Sequence, residues 1–329
     1  MVEGAEPLVS VVTPVYNGEP YIAECIESIL AQTYSNWEYI IVDNRSTDAT
    51  QLIAETYTRD PRIRVETNPD FLPIIANHNR AFGLISPECK YCKVVSADDW
   101  IFPEALRRMV DLAESQPSVG LVGAYQLSGG GDVWYVRNAG LPYSSTVVSG
   151  RDICRAHFLE PHPANVFGNP TSTLYRADLV RSTDRFYPND TAEADRSACF
   201  AALRQSDYGF IHHVLSYERI HQTRVTATSK RMNAYPSSHL GDLVNYGSYY
   251  LSKEELDRCI EETLKRYYDY LAVNTLTFKS RTFWDYHASR LRDVGYPLDG
   301  IRLSRAIATK LLFAPSRALA KFRQGGVHA

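Results

Sequence analysis

Two adjacent carboxylates close an apolar run in Val94-Val95-Ser96-Ala97-Asp98-Asp99-Trp100, and an indole follows them. Carboxylates at the end of a buried strand are costly unless they are paired, hydrogen-bonded or bound to a cation. Asp98 and Asp99 offer the hard oxygen donors that Mg²⁺ or Mn²⁺ prefers, and through such a cation a grip on a diphosphate. The same pair also reads as an N-cap, because Phe102-Pro103-Glu104 opens a helix. Two more polar clusters lie upstream: Thr13-Pro14-Val15-Tyr16-Asn17 and Asp43-Asn44-Arg45-Ser46-Thr47-Asp48. Tyr16 presents an aromatic face for a nucleobase, and Asp43 and Asn44 present acceptors for a ring N–H or ribose hydroxyls. Neither common glycine-rich phosphate loop is present. Phosphate charge must then be met largely by the metal.

These clusters need elements that bring them together. Leu8 to Val15 is a β-branched apolar run that predicts a buried strand, and Pro20 opens a helix with Tyr21, Ile22, Cys25, Ile26, Ile29 and Leu30 on one face. Glu38 to Asp43 predicts a second strand, 49–57 a helix and 63–66 a third strand. A helix over about 74–84 leads to a strand over 92–96, then a helix over about 103–114 and a strand over 119–124. Strand and helix alternating through short polar joints mark a parallel sheet with right-handed crossovers. The strand ends of such a sheet converge on one crevice.

Beyond residue 125 the rhythm changes. Ser128 to Asp132 reads as a turn of an antiparallel hairpin ending in Val133-Trp134-Tyr135-Val136. A strand over 172–176, a helix over 192–204 and strands over 208–214 and 216–221 follow. After about residue 230 the chain is Tyr-rich and helical, with one clear helix over 254–272. Two domains are expected, 1–230 and a helical region 231–329. The last segment, 302–323, carries six basic residues and no acidic one beside Ile307, Leu311, Leu312, Phe313 and Leu319, a pattern open to membrane-surface contact or a solvated helix.

A net charge of −3 argues against a general nucleic-acid binder. No run approaches a membrane span, and the acidic N-terminus does not read as a signal peptide. Five of the six cysteines sit in apolar or mixed settings and read as buried thiols of a reducing compartment, with the cytoplasm as the expected location. Cys89 and Cys92 form a lone CxxC without a second pair, and no zinc site is expected there.

Taken together, Val11-Val12-Thr13-Pro14-Val15-Tyr16-Asn17, Ile41 to Asp48 and Ser96-Ala97-Asp98-Asp99 resemble the family 2 glycosyltransferases in order, spacing and strand context. The resemblance covers about residues 8–225. It implies the GT-A nucleotide-diphospho-sugar transferase fold, a Rossmann-like α/β architecture with a mixed, mostly parallel sheet, here with a helical C-terminal extension. It also implies metal-dependent transfer of a sugar from a nucleotide diphosphate to an acceptor hydroxyl, with inversion. Ser96 stands where the acidic motif usually begins, so metal ligation rests on Asp98 and Asp99, with Asp99 the more direct ligand. The nucleotide would meet Thr13, Pro14, Val15, Tyr16, Asn17, Asp43, Asn44, Ser46 and Asp98. Asn44 replaces a second Asp of many relatives, and uridine or thymidine donors fit.

The family further implies a catalytic base on a later helix. Asp195 matches it best and Glu193 second, although a helix start also favours acidic residues through its dipole. His221 matches a histidine that some GT-A enzymes place on the metal or diphosphate. Gly168 and Asn169 lie in a loop resembling one near bound acceptors, and Trp100 could stack on a sugar ring or pack in the core. The implied partners are a nucleotide-sugar donor and a saccharide or lipid-linked acceptor, as in polysaccharide or glycoconjugate assembly. Two other readings remain: a sugar-1-phosphate nucleotidyltransferase, which would want a basic Gly-rich loop after the first strand, and a non-catalytic nucleotide-sugar or glycan-binding module.

Overall fold

A computed structural model describes residues 6–130, 133–138, 141–160, 167–191, 193–221, 232–276 and 279–324, without side chains at 276 or beyond 312. The chain divides into two compact units, Met1–Arg224 and Val225–Ala329.

The first unit is a sheet whose first half follows the alternation read from the sequence. Strands β1 (Val9–Val15), β2 (Trp37–Asp43), β3 (Ile63–Thr67) and β4 (Tyr91–Val94) run parallel in the order β3-β2-β1-β4. Helices α1 (Ile22–Leu30), α2 (Thr50–Thr56) and α3 (Ile74–Phe82) make the connections. β1 and β2 are apolar on both sides, as expected of parallel strands covered on both faces: Val9, Val11, Tyr39 and Ile41 pack with Cys25, Ile26 and Ile29 of α1. Chain order reverses between β2-β1 and β1-β4, so the crevice of an open α/β sheet falls at the carboxyl ends of β1 and β4.

The acidic pair follows β4. A two-residue strand, β5 (Trp100–Ile101), comes next, and α4 (Ala105–Ser115) starts only after it. Glu104 holds the capping position of α4, so the N-cap alternative for Asp98-Asp99 is excluded. β6 (Val119–Gly130) forms the expected hairpin with β7 (Val133–Arg137), with Gln126 opposite Arg137. The short strand β8 (Val147–Val148), helix α5 (Gly150–Leu159), capped by Ser149, and a 3₁₀ turn at Pro170–Ser172 precede β9 (Thr173–Arg176) and α6 (Ala177–Arg181). Helix α7 (Ala194–Ala202) leads to β10 (Asp207–Arg219), one long strand with register shifts near 211–216 where two strands were expected. β9 runs antiparallel between β4 and β6, β10 pairs parallel with β6, and β5 and β8 pair antiparallel with β10. The sheet is mixed and mostly parallel.

The second unit contains, among the described residues, α8 (Tyr235–Tyr250), α9 (Lys253–Leu276), α10 (Arg281–Asp293) and α11 (Gly300–Gln324). Leu264, Tyr267, Leu271, Phe283 and Leu291 are buried there, and the rings of Tyr267 and Phe283 pack against His287. The His287 ring bonds the Tyr267 hydroxyl (2.6 Å) and the Met232 carbonyl (3.0 Å), and burial pushes its pKa down to about 4. Among the described residues no helix is long and apolar enough to cross a membrane. The six cysteines are buried and form no disulfide.

Candidate active site

At the end of β4 the chain turns, with the Asp99 N–H donating to the Ser96 carbonyl (2.9 Å). The turn sends its two carboxylates in different directions. Asp99 goes inward and is 1% exposed. Its Oδ1 accepts from the Arg219 backbone N–H (3.1 Å) and its Oδ2 from the Thr171 hydroxyl (2.8 Å). Asp98 goes outward, where its Oδ2 lies 3.0 Å from Nε2 of His221. The Tyr21 ring packs against His221 with centroids 5.0 Å apart. Asp98 and His221 lie at the more open side of the turn, and Asp99, the residue expected to be the more direct metal ligand, is buried.

No cluster of three or more His, Cys, Asp or Glu suited to a metal occurs among the described residues. A cation of the Mg²⁺ type is commonly held by one or two carboxylates, with water and substrate phosphates completing its shell. A part-exposed carboxylate beside an imidazole is a donor set that fits such an ion.

The residues expected to meet a nucleotide divide into two groups. Tyr16 is 47% exposed and meets Phe71, itself 59% exposed, edge to face at 4.9 Å. Asn17, at φ 53°, accepts from the Thr47 N–H (2.8 Å), while its own N–H donates to Ser46 Oγ (2.9 Å). The buried Asp43 carboxylate accepts from the Ser46 N–H at 3.2 and 3.3 Å. Thr13 is different: its hydroxyl donates to the Val95 carbonyl and accepts from Tyr39, each at 2.8 Å. It stitches β1 to the exit of β4. Pro14 and Val15 belong to β1, and the Val15 carbonyl accepts from the Asn44 N–H (2.8 Å).

The Asn44 side chain is committed inward too. Its oxygen accepts from Asn68 Nδ2 (2.7 Å) and the Leu72 N–H (2.9 Å), and its NH₂ donates to the Leu72 carbonyl (2.8 Å). Asn44 therefore shapes the loop that presents Phe71.

Glu193 and Asp195 also separate. Glu193 precedes α7 and pairs with Arg196 across 2.9 Å, holding a guanidinium that is 6% exposed. Asp195 lies in the first turn of α7, beside the buried phenols of Tyr175 and Tyr187. Burial, and then the charge of Glu193, push its pKa up to about 7. A carboxyl poised there suits general-base work near neutrality.

Trp100 stacks on Tyr217 at 4.8 Å, and Tyr217 lies 5.0 Å from Trp134, which is 51% exposed on β7. Gly168, at φ +70°, precedes Asn169, whose side-chain oxygen caps the 3₁₀ turn at the Ser172 N–H (3.1 Å) and accepts from Gln126 (2.9 Å). The loop is thus a support for β9 and for Thr171.

Four residues at this site were not singled out from the sequence: Phe71, Lys93, Thr171 and Arg219. Arg219 donates from Nε to the Asp98 carbonyl (3.2 Å), pairs with Glu24 and lies 4.9 Å over the Tyr21 ring. Lys93 left the clearest signal, a charge inside the apolar run of β4. His212 bridges the Tyr125 hydroxyl and the Ser145 carbonyl, each at 2.8 Å.

The model for glycosyl transferase family 2 matches residues 10–183, more than half of the chain. The chain belongs to this family. An uncharacterized glycosyltransferase, EpsJ of Bacillus subtilis, is 38% identical over 120 residues, which is 36% of this chain and 33% of EpsJ. EpsE of the same organism, a putative glycosyltransferase, is 36% identical over 123 residues, 37% of this chain and 44% of EpsE. The chain thus matches between a third and a half of the length of these curated relatives. Among solved structures, Staphylococcus aureus TarS in complex with UDP-GlcNAc superposes with a TM-score of 0.62 at 19% identity, covering 98% of this chain and 93% of that one. The mannosyltransferase PcManGT of Pyrobaculum calidifontis, in complex with GDP-Man and Mn²⁺, gives a TM-score of 0.54 at 15% identity, covering 94% and 88%. The fold of this family 2 member is GT-A, with helices following it.

Proposed function

We propose that the chain is an inverting sugar transferase using a nucleoside diphosphate sugar and an acceptor hydroxyl. The observation that carries this reading is the meeting of Asp98 and His221, 123 residues apart in the chain and 3.0 Å apart at the strand-order reversal. Family membership and the nucleotide-sugars bound by TarS and PcManGT support it.

Asp98 and His221 would hold a divalent cation of the kind in the PcManGT complex, with Asp99 behind them. A cation held there supplies positive charge opposite the departing diphosphate. Tyr16 and Phe71 offer their rings to the base, and Asp43 and Ser46 the polar contacts to the nucleoside. A uridine or thymidine diphosphate sugar is the preferred donor, in keeping with UDP-GlcNAc in TarS and with the acceptor oxygens that Asp43 could offer a pyrimidine imide N–H. Asp195 is the base and Glu193 its electrostatic neighbour. The Asp195 carboxylate takes the proton of the acceptor hydroxyl as that oxygen attacks the anomeric carbon. The bond from this carbon to the diphosphate oxygen breaks, and its electron pair leaves with the nucleoside diphosphate. A single displacement inverts the centre and leaves no covalent intermediate.

The acceptor is a saccharide or lipid-linked saccharide, approaching past Trp100, Gly168 and Asn169 along the exposed rings of the β6–β7 hairpin. Residues 1–230 carry the transfer chemistry and 231–329 form a separate helical region. The basic segment 302–329 brings the protein to the cytoplasmic face of a membrane; liposome co-sedimentation with and without it checks this, and unchanged binding after truncation removes the idea.

The deciding experiment is nucleotide release from a panel of UDP-, dTDP- and GDP-sugars with and without Mn²⁺. Metal-dependent release with an acceptor is the expected result. Binding of a donor without turnover on any acceptor would make the chain a binding module instead.

A further inference from the structure

Lys93 sits on β4 between β1 and β9, fully buried, and its Nζ donates to the carbonyls of Thr171 (2.5 Å) and Thr173 (3.0 Å). Two main-chain oxygens thus receive the ammonium. Burying a lysine this way is costly, and a purely structural brace between strands needs no charge. Thr171, the residue so clamped, is the junction of the acidic turn. Its hydroxyl donates to Asp99 Oδ2 (2.8 Å) and accepts from the Ser96 N–H (3.1 Å). Thr171 is itself fully buried.

We infer that Lys93 is a positioning residue for the acidic turn: it fixes Thr171, and Thr171 fixes Asp99 and Ser96 so that Asp98 faces His221. This rests on the transferase reading above, because it assigns Lys93 to the metal-diphosphate side of that site. The proposed base-binding side is built separately, on Tyr16 and Asp43 at the ends of β1 and β2 and on Phe71 in the loop after β3. The ammonium also lies near enough to Asp99 for the two charges to attract, while burial pushes the Lys93 pKa down to about 7. An ordinary stabilising contact would affect both halves of the nucleotide site alike. A positioning contact affects one.

The test uses the full chain and calorimetric titration with uridine, thymidine and guanosine and with their 5′-diphosphates, each with and without Mn²⁺. For the wild type, Mn²⁺ should tighten diphosphate binding and leave nucleoside binding alone. Lys93→Met should lose most of that Mn²⁺-dependent increment, at least tenfold in affinity, and keep nucleoside affinity within about twofold. Equal increments in Lys93→Met and wild type, or parallel losses for nucleoside and diphosphate, would overturn the assignment while leaving the transferase reading intact. Should Lys93→Met fail to fold, Thr171→Val keeps the clamp carbonyl and side-chain shape but removes the hydroxyl that reaches Asp99. It should show the same selective loss, and a full Mn²⁺ increment in Thr171→Val would end the relay. No Mn²⁺ effect in the wild type on any diphosphate would instead sink the metal reading itself, and Lys93's part in it.

Discussion

Two pairs of carboxylates frame the proposed chemistry, and the fold treats them differently. In Asp98-Asp99 the inner group receives two protein donors, Thr171 and the Arg219 amide, and the outer one meets an imidazole. In the Glu193 and Asp195 pair, Glu193 receives the guanidinium of Arg196, while desolvation dominates at Asp195, beside two phenols, over the backbone hydrogen bond and charge that Arg196 offers it. A carboxylate held by protein donors is fixed in place, an arrangement suited to facing a cation. A desolvated one holds its proton more tightly and suits proton transfer. On the proposed reading, the same side-chain chemistry is divided between two tasks by what each carboxylate is given as a partner.

The largest test of that contrast is Asp195→Asn. It should cut transfer by about 10²–10⁴-fold, the usual worth of a positioned general base, and leave donor affinity unchanged. A loss of donor affinity instead would place Asp195 on the donor side. Next, Asp98→Ala and His221→Ala should each weaken Mn²⁺ activation by about ten- to a hundredfold, read as the metal concentration needed for half-maximal rate. Asp195→Ala should leave that concentration where it is; a shift there would merge the two sites that the contrast separates.

Proton linkage sharpens the same point. The Asp195 pKa rises from 3.8 to about 7, so across that interval the folded protein holds a proton the unfolded chain has released. Stability from this group is therefore complete below about pH 4 and is lost as pH rises through about 7. Melting curves should show Asp195→Asn gaining on the wild type as pH rises to 8, and the two converging near pH 4. The activity of the wild type should climb through an acid limb near pH 7. Glu193→Gln removes the second cause of the raised pKa, so its acid limb should move to lower pH; an unmoved limb would leave burial alone responsible. Smallest of all, Trp134→Ala should raise the acceptor KM a few-fold and leave the donor KM alone, the scale of one lost aromatic contact of about 0.5–1.5 kcal/mol.

Much of the first unit was legible because its signals are local. Alternating β-branched runs and amphipathic helices gave strands 1 to 4 and their crossovers, and the hairpin at 128–136 followed from its turn residues. The polar strand ends were legible as a set because a parallel sheet gathers them at one edge. Their individual duties were not. Thr13 and Asn44 look like ligand contacts in the sequence, yet Tyr39, Val95, Asn68 and Leu72 occupy their hydrogen-bonding groups. Those partners lie 24 to 82 residues away, and no local pattern announces them.

By itself, then, the sequence determined the alternation of elements, the family, and the set of polar residues that could serve a nucleotide, a cation and a base. Tertiary structure decided which member of each set stays available. Asp98 and Asp99 are chemically identical neighbours, and only Thr171, Arg219 and His221, folded in from later strands and loops, make one a foundation and leave the other facing outward. Lys93 is the reverse case. Its charge inside an apolar strand was visible in the sequence, but its purpose appears only when β9 brings the Thr171 and Thr173 carbonyls over it. Periodicity is written in neighbours along the chain, whereas the protonation and reach of a side chain are set by groups that meet only after folding.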